Sequence, residues 1–300
     1  MDWFAQNYHH LLFTDFGGFA FVLVLYLVLG IFEITFPAEP GQAFSGRITN
    51  VVVTGMFLGF GGLLTKWSIN ALGAGPRRLL DHGILVSVAI LIAYGFVSDL
   101  FFYWYHRAQH RIDFLWPIHE LHHTDGALNA TTSLRTFWLE APIQSLIVAL
   151  PATYIIGLDH RAAFVLPALF TGWLYFTHAN WRLGLGFLTP LICGPQLHRI
   201  HHSNLSEHQN KNFAQYFPVI DMMFGTYYAP RRGEFPTTGI PNRTAPASWA
   251  EMTVGPFLAW TAAIDTRLSS EPAVAAKPAP KPAAVSKPQP RASRQRRRAR

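Results

Sequence analysis

Five apolar stretches alternate with short polar segments over the first 180 residues of the chain. The stretches cover residues 17–36, 48–64, 83–105, 138–158 and 163–177. Each approaches the length of about 17–25 residues that a helix needs to cross a bilayer. Amphipathic helices, which would surround the core of a water-soluble protein, are almost absent before residue 105. The pattern predicts an all-α, polytopic integral membrane protein with four or five membrane helices.

Composition supports a membrane location and limits the chemistry of any metal site. Half of the 300 residues are hydrophobic and only 14% are charged, so the chain is more apolar than a soluble domain of this size requires. Cys193 is the only cysteine, which excludes intrachain disulfides, thiolate zinc sites and cysteine-ligated iron–sulfur clusters. Nitrogen and oxygen atoms must therefore supply the ligands of any metal.

The basic charge of the chain lies near its C-terminal end. The net charge is +7, yet residues 277–300 contain nine Lys and Arg and no acid. A segment so rich in Pro, Ala and Arg cannot bury enough apolar surface to fold, so we expect a disordered basic tail over residues 266–300. Such a tail either lies on an anionic lipid surface or stays solvated. Because the basic excess is confined to it, we expect no nucleic-acid partner.

Eight of the 14 histidines fall in three clusters at the ends of the apolar stretches. The clusters are His106 and His110; His119, His122 and His123; and His198, His201 and His202. On a helix, positions i, i+3 and i+4 share a face, while the adjacent His122 and His123 diverge toward different ions. Eight imidazoles are too many for one ion, so we expect two. Iron, zinc and copper all accept such ligands, but oxidation of a lipid C–H bond requires iron or copper.

The order of the apolar stretches predicts that these clusters meet. The third stretch ends directly before His106, the fourth leads away from the second cluster, and the fifth returns toward His178 and the third cluster. The clusters would then form a histidine-lined helical cap on one membrane face. Basic residues near the clusters favour a cytoplasmic catalytic face. Arg77 and Arg78, between the second and third stretches, argue for the opposite orientation.

The clusters resemble the histidine boxes of the fatty acid hydroxylase and sterol desaturase superfamily. The matching motifs are Asp99-Leu-Phe-Phe-Tyr-Trp-Tyr-His106-Arg-Ala-Gln-His110, His119-Glu-Leu-His122-His123, His178-Ala-Asn180, His198-Arg-Ile-His201-His202 and Asp221-Met-Met-Phe-Gly-Thr226. The sequence around Trp116 and Leu197 is more similar to the bacterial, alkylglycerol-monooxygenase-like branch. In the fatty acid 2-hydroxylase branch a histidine takes the place of Leu174.

This resemblance implies a membrane-bound, non-haem di-iron oxygenase. It implies two iron ions, O2 as co-substrate, and a separate electron donor of ferredoxin or cytochrome b5 type with its reductase. The expected activity is hydroxylation or desaturation of a C–H bond in a lipid such as a fatty acyl chain, a sterol or an ether lipid. We expect a multi-pass location in the inner membrane of a bacterium or otherwise in an ER-like membrane. The implied iron ligands are His106, His110, His119, His122, His123, His178, His198, His201 and His202.

Four further polar residues are candidates for orienting the ligand imidazoles. Asp99 lies two helical turns before His106 on the same face, where its carboxylate can accept a hydrogen bond from the ring. Asn180, Asn212 and Asp221 either bond to ligand histidines or cap helices. We expect membrane helices over residues 1–82, a catalytic domain over 83–230 and an extension over 231–265, followed by the tail.

Two other classes of protein remain open. The second cluster, His119-Glu120-Leu-His122-His123, also satisfies HExxH, the signature of a zinc metalloprotease in which the glutamate is the base. An intramembrane protease of this kind would leave five clustered histidines without a role. A metal transporter is the second alternative, but its ligands would be expected within the membrane, whereas these clusters lie at the predicted helix ends.

Overall fold

The computed structural model describes residues 15–71, 84–158, 162–243 and 248–269. Within these ranges the regular secondary structure is helical, apart from two isolated β-bridges, which confirms the all-α prediction there. The α-helices are α1 (Asp15–Thr35), α2 (Phe44–Met56), α3 (Gly62–Ala71), α4 (Ile84–Gln109), α5 (Trp116–His123), α6 (Glu140–Gln144), α7 (Leu150–Ile156), α8 (Ala162–His178), α9 (Pro195–His201), α10 (Val219–Met223) and α11 (Trp249–Ser269). The 3-10 turns are Ala130–Thr132, Gly186–Leu188 and Ser206–His208.

Among the described residues, most of each apolar stretch lies on helices. A π-helical segment, Phe57–Gly61, joins α2 to α3, and another, Ser145–Ala149, joins α6 to α7. Among the described residues, Phe44–Trp67 and Leu85–Gln109 are long and apolar enough to cross a membrane, while Ala20–Thr35 and Glu140–Ile156 are shorter apolar helices. The structure thus contains two candidate membrane helices, and the total of four or five stays a prediction.

Large apolar side chains cover the outer surfaces of these helices. The exposed fractions of Leu27, Ile34, Leu85 and Tyr154 are 73%, 82%, 82% and 85%. Soluble monomeric proteins rarely expose continuous apolar areas of this kind, because each such area contacts water unfavourably. The exposed apolar surfaces therefore agree with a helical bundle that contacts lipid.

The π-helical segment before α3 approaches the start of α6 closely. A Cβ atom at Gly61 would lie 2.5 Å from the backbone oxygen of Trp138, so only glycine allows this approach. The contact holds the chain two residues before Glu140, whose carboxylate belongs to the site described below. Packing between the two apolar segments thus determines the position of a polar side chain.

A buried polar network fixes the chain after the second histidine cluster. Arg135 donates from Nη1 to Asn50 Oδ1 at 3.1 Å and from Nη2 to Thr124 Oγ1 at 2.9 Å. Asn50 also donates to Asp125 Oδ2 at 2.7 Å. Because a buried guanidinium without partners is strongly unfavourable, these bonds favour one arrangement of α2 beside the end of α5.

The described residues divide into two units, one that ends at Trp260 and one that begins at Thr261. The predicted boundaries after residues 82 and 230 both fall inside the first unit and stay predictions. Helix α11 continues to Ser269, past the predicted start of the tail at residue 266. The rest of the tail, and the loop with Arg77 and Arg78, lie outside the described residues.

Candidate metal centre

Four helix ends carry the clustered histidines. His106 and His110 lie at the end of α4, and His178 is the last residue of α8. The two HxxHH clusters occupy the short helices α5 and α9, whose first turns contain Pro117 and Pro195. Proline is favourable there because its fixed φ suits the first turn and its missing N–H needs no partner. The prolines thus promote short helices that begin just before the histidines.

The nine histidines converge in two groups, as the order of the apolar stretches predicts. In each group the potential ligand nitrogens all lie within 4.8 Å of one another. The first group contains His106, His110, His119, His123 and His201, and the second contains His122, His178, His198 and His202. Adjacent histidines therefore separate into different groups, both at His122 and His123 and at His201 and His202.

The distances between ring nitrogens fit shared metal ions. Nε2 of His119 lies 3.0 Å from Nε2 of His106 and 3.0 Å from Nε2 of His123. In the second group, Nε2 of His178 lies 3.1 Å from that of His122 and 2.9 Å from that of His198. Imidazole nitrogens bind ions at about 2.0–2.1 Å, so two ligands at right angles around one ion lie about 3 Å apart. Both groups have this spacing.

Hydrogen bonds on the far side of the rings show that the contact between His106 and His119 is not a simple hydrogen bond. His106 Nδ1 lies 2.8 Å from the carbonyl oxygen of Phe213, and His119 Nδ1 lies 3.2 Å from Glu140 Oε1. Both acceptors require a proton on Nδ1, so Nε2 of each neutral ring carries a lone pair. Two lone pairs at 3.0 Å repel each other. A cation between them removes this repulsion, so the donor set fits a bound metal.

Burial keeps the clustered imidazoles neutral. Burial, and next the charge of neighbouring imidazoles, lowers the pKa of His122 and of His202 well below its usual range. Burial lowers the pKa of His201 to about 4, although its hydrogen bond to the carbonyl of Lys211 acts in the opposite direction. A neutral imidazole offers a free lone pair, so these rings are ready to bind metal at neutral pH.

Asp99 does not orient His106 directly, contrary to the prediction. Its carboxylate is buried and accepts from the backbone N–H groups of residues 215, 216 and 217, at 2.7, 2.9 and 2.7 Å. Asp221 similarly accepts from the N–H groups of Phe213 and Ala214, at 2.7 and 2.9 Å. A loop of unpaired amides attracts a carboxylate more strongly than one ring N–H does. The two acids hold the loop whose Phe213 carbonyl orients His106.

The two asparagines also bond to backbone and not to imidazoles. Asn180 accepts from the N–H of Glu39 at 2.9 Å and donates to the carbonyl of that residue at 2.8 Å. Asn212 accepts from the N–H of Tyr228 at 2.8 Å and has a φ of 56°, a left-handed conformation that asparagine tolerates. The asparagines thus connect loops that flank the histidines.

Sequence reasoning missed Glu140, the carboxylate nearest to a clustered ring. It is fully buried, accepts from His119 Nδ1 and also accepts from Gln109 at 3.0 Å and Gln144 at 3.1 Å. A signal was present, because Glu140 is the only acid in its apolar stretch and an acid in such a stretch usually has a function. The carbonyl acceptors of Phe213, Lys211 and Leu174 left no signal in the sequence.

A strap over residues 231–243, after the last histidine cluster, was also missed. Its Thr238 forms an isolated bridge with Ser203, and the N–H of Gly239 donates to the carbonyl of His202 at 3.1 Å. Thr238 Oγ1 accepts from the N–H of Leu128 at 3.3 Å. The strap therefore connects the third histidine cluster with the loop that follows the second.

The surroundings of Glu120 do not suit a zinc protease. Its carboxylate pairs with the guanidinium of Arg243 and has no contact with the histidine groups among its described hydrogen bonds. A general base must reach the water that it activates, and the ion pair with Arg243 directs this carboxylate toward the strap instead.

His208 lies outside both histidine groups. It is buried, with its Nδ1 atom 2.9 Å from Ser203 Oγ.

Fold and site together define a helical protein with two buried, all-histidine centres beside apolar helices. Residues 91–226 match the model of the fatty acid hydroxylase family, and these residues contain all nine histidines of the two groups. Residues 91–226 are thus similar to a fatty acid hydroxylase domain, and the relatives described next belong to the same superfamily. No solved structure matches the chain.

Several curated proteins are similar to this domain. Alkylglycerol monooxygenase of Caenorhabditis elegans is 30% identical over 152 residues, which are 48% of this chain and 28% of that protein. Ornithine lipid hydroxylase OlsE of Rhizobium tropici is 27% identical over 158 residues, 52% of this chain and 47% of that protein. Delta(7)-sterol 5(6)-desaturase erg3C of Aspergillus fumigatus is 27% identical over 173 residues, 51% of this chain and 53% of that protein. The matches thus span between about a quarter and half of these relatives.

Proposed function

We propose that this protein is a membrane-bound, non-haem di-iron oxygenase that hydroxylates or desaturates a C–H bond of a lipid. The observation that carries the proposal is the convergence of nine imidazoles, eight of them buried, in two groups within the residues that match the fatty acid hydroxylase model. Iron held by the two groups would supply the redox chemistry for O2 activation. The three named relatives act on different lipids by their names, so the proposal is limited to the lipid class.

In this proposal the protein orients the ligands and excludes water. The carbonyls of Phe213 and Lys211 hold His106 and His201 with Nε2 directed to the first group. Glu140 holds His119 in the same way. Because the rings are buried, water molecules that would compete as ligands are excluded. Because the rings are neutral, the bound ions would keep their positive charge. In this proposal none of these residues transfers a proton.

The proposed reaction needs components from outside the chain. Oxygen activation consumes electrons, which we assign to a separate donor protein of ferredoxin or cytochrome b5 type with its reductase. The lipid substrate would come from the bilayer that surrounds the apolar helices. We propose a multi-pass protein with a cytoplasmic catalytic face, in the inner membrane of a bacterium or in an ER-like membrane otherwise.

Elemental analysis of the detergent-purified protein tests the proposal. After growth in iron-replete medium we expect about two irons per chain, one for each group. His122→Ala removes a ligand of the second group and His201→Ala a ligand of the first, so each variant should lose iron. Incubation with 18O2, an electron donor and a lipid extract should then give 18O-labelled or desaturated lipid with the parent protein alone.

Glu120→Gln is the matched control, because it changes the acid between the histidines without touching either group. An oxygenase should keep its iron and its lipid oxidation in this variant. One zinc per chain, with peptide hydrolysis that disappears in Glu120→Gln, would establish the protease instead. Zinc that the protein carries across a vesicle membrane would establish the transporter.

A further inference from the structure

A large cavity lies between α1 and α2, and most of its lining precedes residues 91–226, which match the family model. Its volume is about 1010 Å³, at the upper end of the range of about 300–1,000 Å³ for small-molecule sites. The side chains of Leu23, Leu27, Ile48 and Val51 form its apolar wall. From Leu23 to Ile34 the cavity follows α1 for about 16 Å at 1.5 Å per residue. Such a long apolar space suits an alkyl chain.

Polar side chains gather at one end of this cavity. They belong to Glu33, Glu39, Gln42, Arg47 and Asn180. Glu33 is buried, pairs with Arg47 and accepts from the N–H groups of Ala130 at 2.7 Å and Asn180 at 2.8 Å. This end is therefore built by the fold, because the carboxylate holds α1, α2 and two loops of the catalytic domain together.

The charges at the polar end cancel each other. Arg47 is neutralised by Glu33, and Glu39 is neutralised by Arg199 at 2.7 Å. An anionic head group would have to displace a carboxylate from one of these arginines, and it would meet two acids. A neutral head with hydroxyl groups can instead donate to Glu39, whose side chain is 33% exposed and whose two described bonds both use Oε2. The chemistry thus favours neutral, hydroxyl-bearing heads.

A pair of tyrosines connects the cavity with α8, the helix that carries His178 of the second histidine group. Tyr26 lines the cavity and packs against Tyr175 with a ring centroid distance of 5.1 Å. Tyr175 precedes His178 by three residues on α8, so both lie on one face of that helix. Thr131 also lines the cavity, and its carbonyl accepts from Tyr26 at 3.4 Å. An alkyl chain in the cavity would contact Tyr26, which packs against the helix that carries His178.

We infer that this cavity binds the lipid substrate, with the alkyl chain between α1 and α2 and a neutral, hydroxyl-bearing head at Glu39, Gln42 and Arg47. The inference rests on the proposed function, because it assigns the substrate of that centre. It deepens that function by selecting neutral over anionic heads.

Photo-crosslinking tests the site with two probes of the same chain length. One is a monoacylglycerol with a diazirine in its chain, and the other is the free fatty acid with the same diazirine. We expect the neutral probe to label residues of α1 and α2, as mapped by mass spectrometry, and the anionic probe to label them at least about tenfold less. Equal labelling by both probes would overturn the selectivity for neutral heads.

Two glycine substitutions separate filling of the cavity from damage to the fold. Gly30 lines the cavity and Gly46 does not, and an added Cβ meets no atom within 4 Å at either position. We expect Gly30→Phe to abolish labelling and Gly46→Phe to keep it, with the same iron content in both. Labelling that survives in Gly30→Phe would overturn the cavity as the site.

Labelling needs no metal, so it can fail separately from the proposed function. A protein with two irons per chain that neither probe labels at α1 and α2 would overturn the cavity and leave the oxygenase proposal in place. A labelled protein that binds no iron would overturn the oxygenase proposal, and with it the role of the cavity as a substrate site.

Discussion

The two histidine groups differ in how the protein holds their rings. In the first group three Nδ1 atoms donate to acceptors on other parts of the chain, namely those of His106, His119 and His201. In the second group His178 donates to the carbonyl of Leu174, one turn earlier on its own helix. Among the described residues, the fully buried Nδ1 atoms without a hydrogen-bond partner are those of His122, His198 and His202, all in the second group.

This difference indicates that folding alone prepares the first group more completely. A ring held at Nδ1 loses little conformational freedom when Nε2 binds an ion, whereas a ring without such a bond must be ordered by the ion itself. The second group also has four imidazoles, one fewer than the first. We therefore expect the second group to bind its ion more weakly.

Removal of one ligand from each group should give the largest effect. His198→Ala leaves three rings in the second group, and His110→Ala leaves four in the first. Both should lower lipid oxidation by more than about 100-fold, since loss of an outer partner of a ligand already costs 10–100-fold. Elemental analysis should find about one iron per chain in His198→Ala and more in His110→Ala. The reverse order would contradict the comparison.

Glu140→Gln should have the next largest effect. The amide can still accept from His119, but the charge that favours the protonated Nδ1 is lost. We expect metal affinity of the first group to fall by about 10-fold or more, as measured by competition with a chelator. Glu120→Gln serves as the control, because that acid pairs with Arg243. Equal affinities in the two variants would mean that Glu140 does not support the ligand.

Chelation of iron from the unmodified protein should show a smaller difference between the two groups. A hydrogen bond contributes about 1 kcal/mol net, which corresponds to about fivefold in an equilibrium constant. We expect the second group to lose its iron at a chelator concentration at least about fivefold lower. Mössbauer spectra of the 57Fe-labelled protein would follow the two sites. The signal that is lost in His198→Ala would be assigned to the second group. Simultaneous loss of both signals would show that the ions bind as one unit.

Asp99→Asn should have the smallest effect on the metal. The amide replaces a buried carboxylate that accepts from three backbone N–H groups, so the free energy of unfolding should fall by about 1–3 kcal/mol. Denaturant titration would measure it. The second group should keep its iron affinity, because the loop held by Asp99 carries the carbonyls of Lys211 and Phe213, which hold His201 and His106 of the first group. A loss of iron affinity that is confined to the second group would contradict this prediction.

Much of the site could be predicted from local spacing. The i, i+3, i+4 positions of His119, His122 and His123 predicted that adjacent rings diverge, and the structure separates them into two groups. The order of the stretches predicted the convergence of clusters whose histidines lie up to 96 residues apart, from His106 to His202. Asp99 was assigned to the wrong partner, since its spacing from His106 says nothing about a loop 116 residues away.

The sequence by itself determined the helices, their apolar surfaces and the direction of each histidine on its helix. These follow from the helical period and from hydrophobicity, which act between residues a few positions apart. Only the tertiary structure decided which carbonyls hold the rings of His106, His178 and His201, that Glu140 accepts from His119, and that a cavity with a neutral polar end lies between α1 and α2. Those features depend on loops and helices brought together from distant positions, and the hydrogen bonds that they form leave no periodic trace in the sequence.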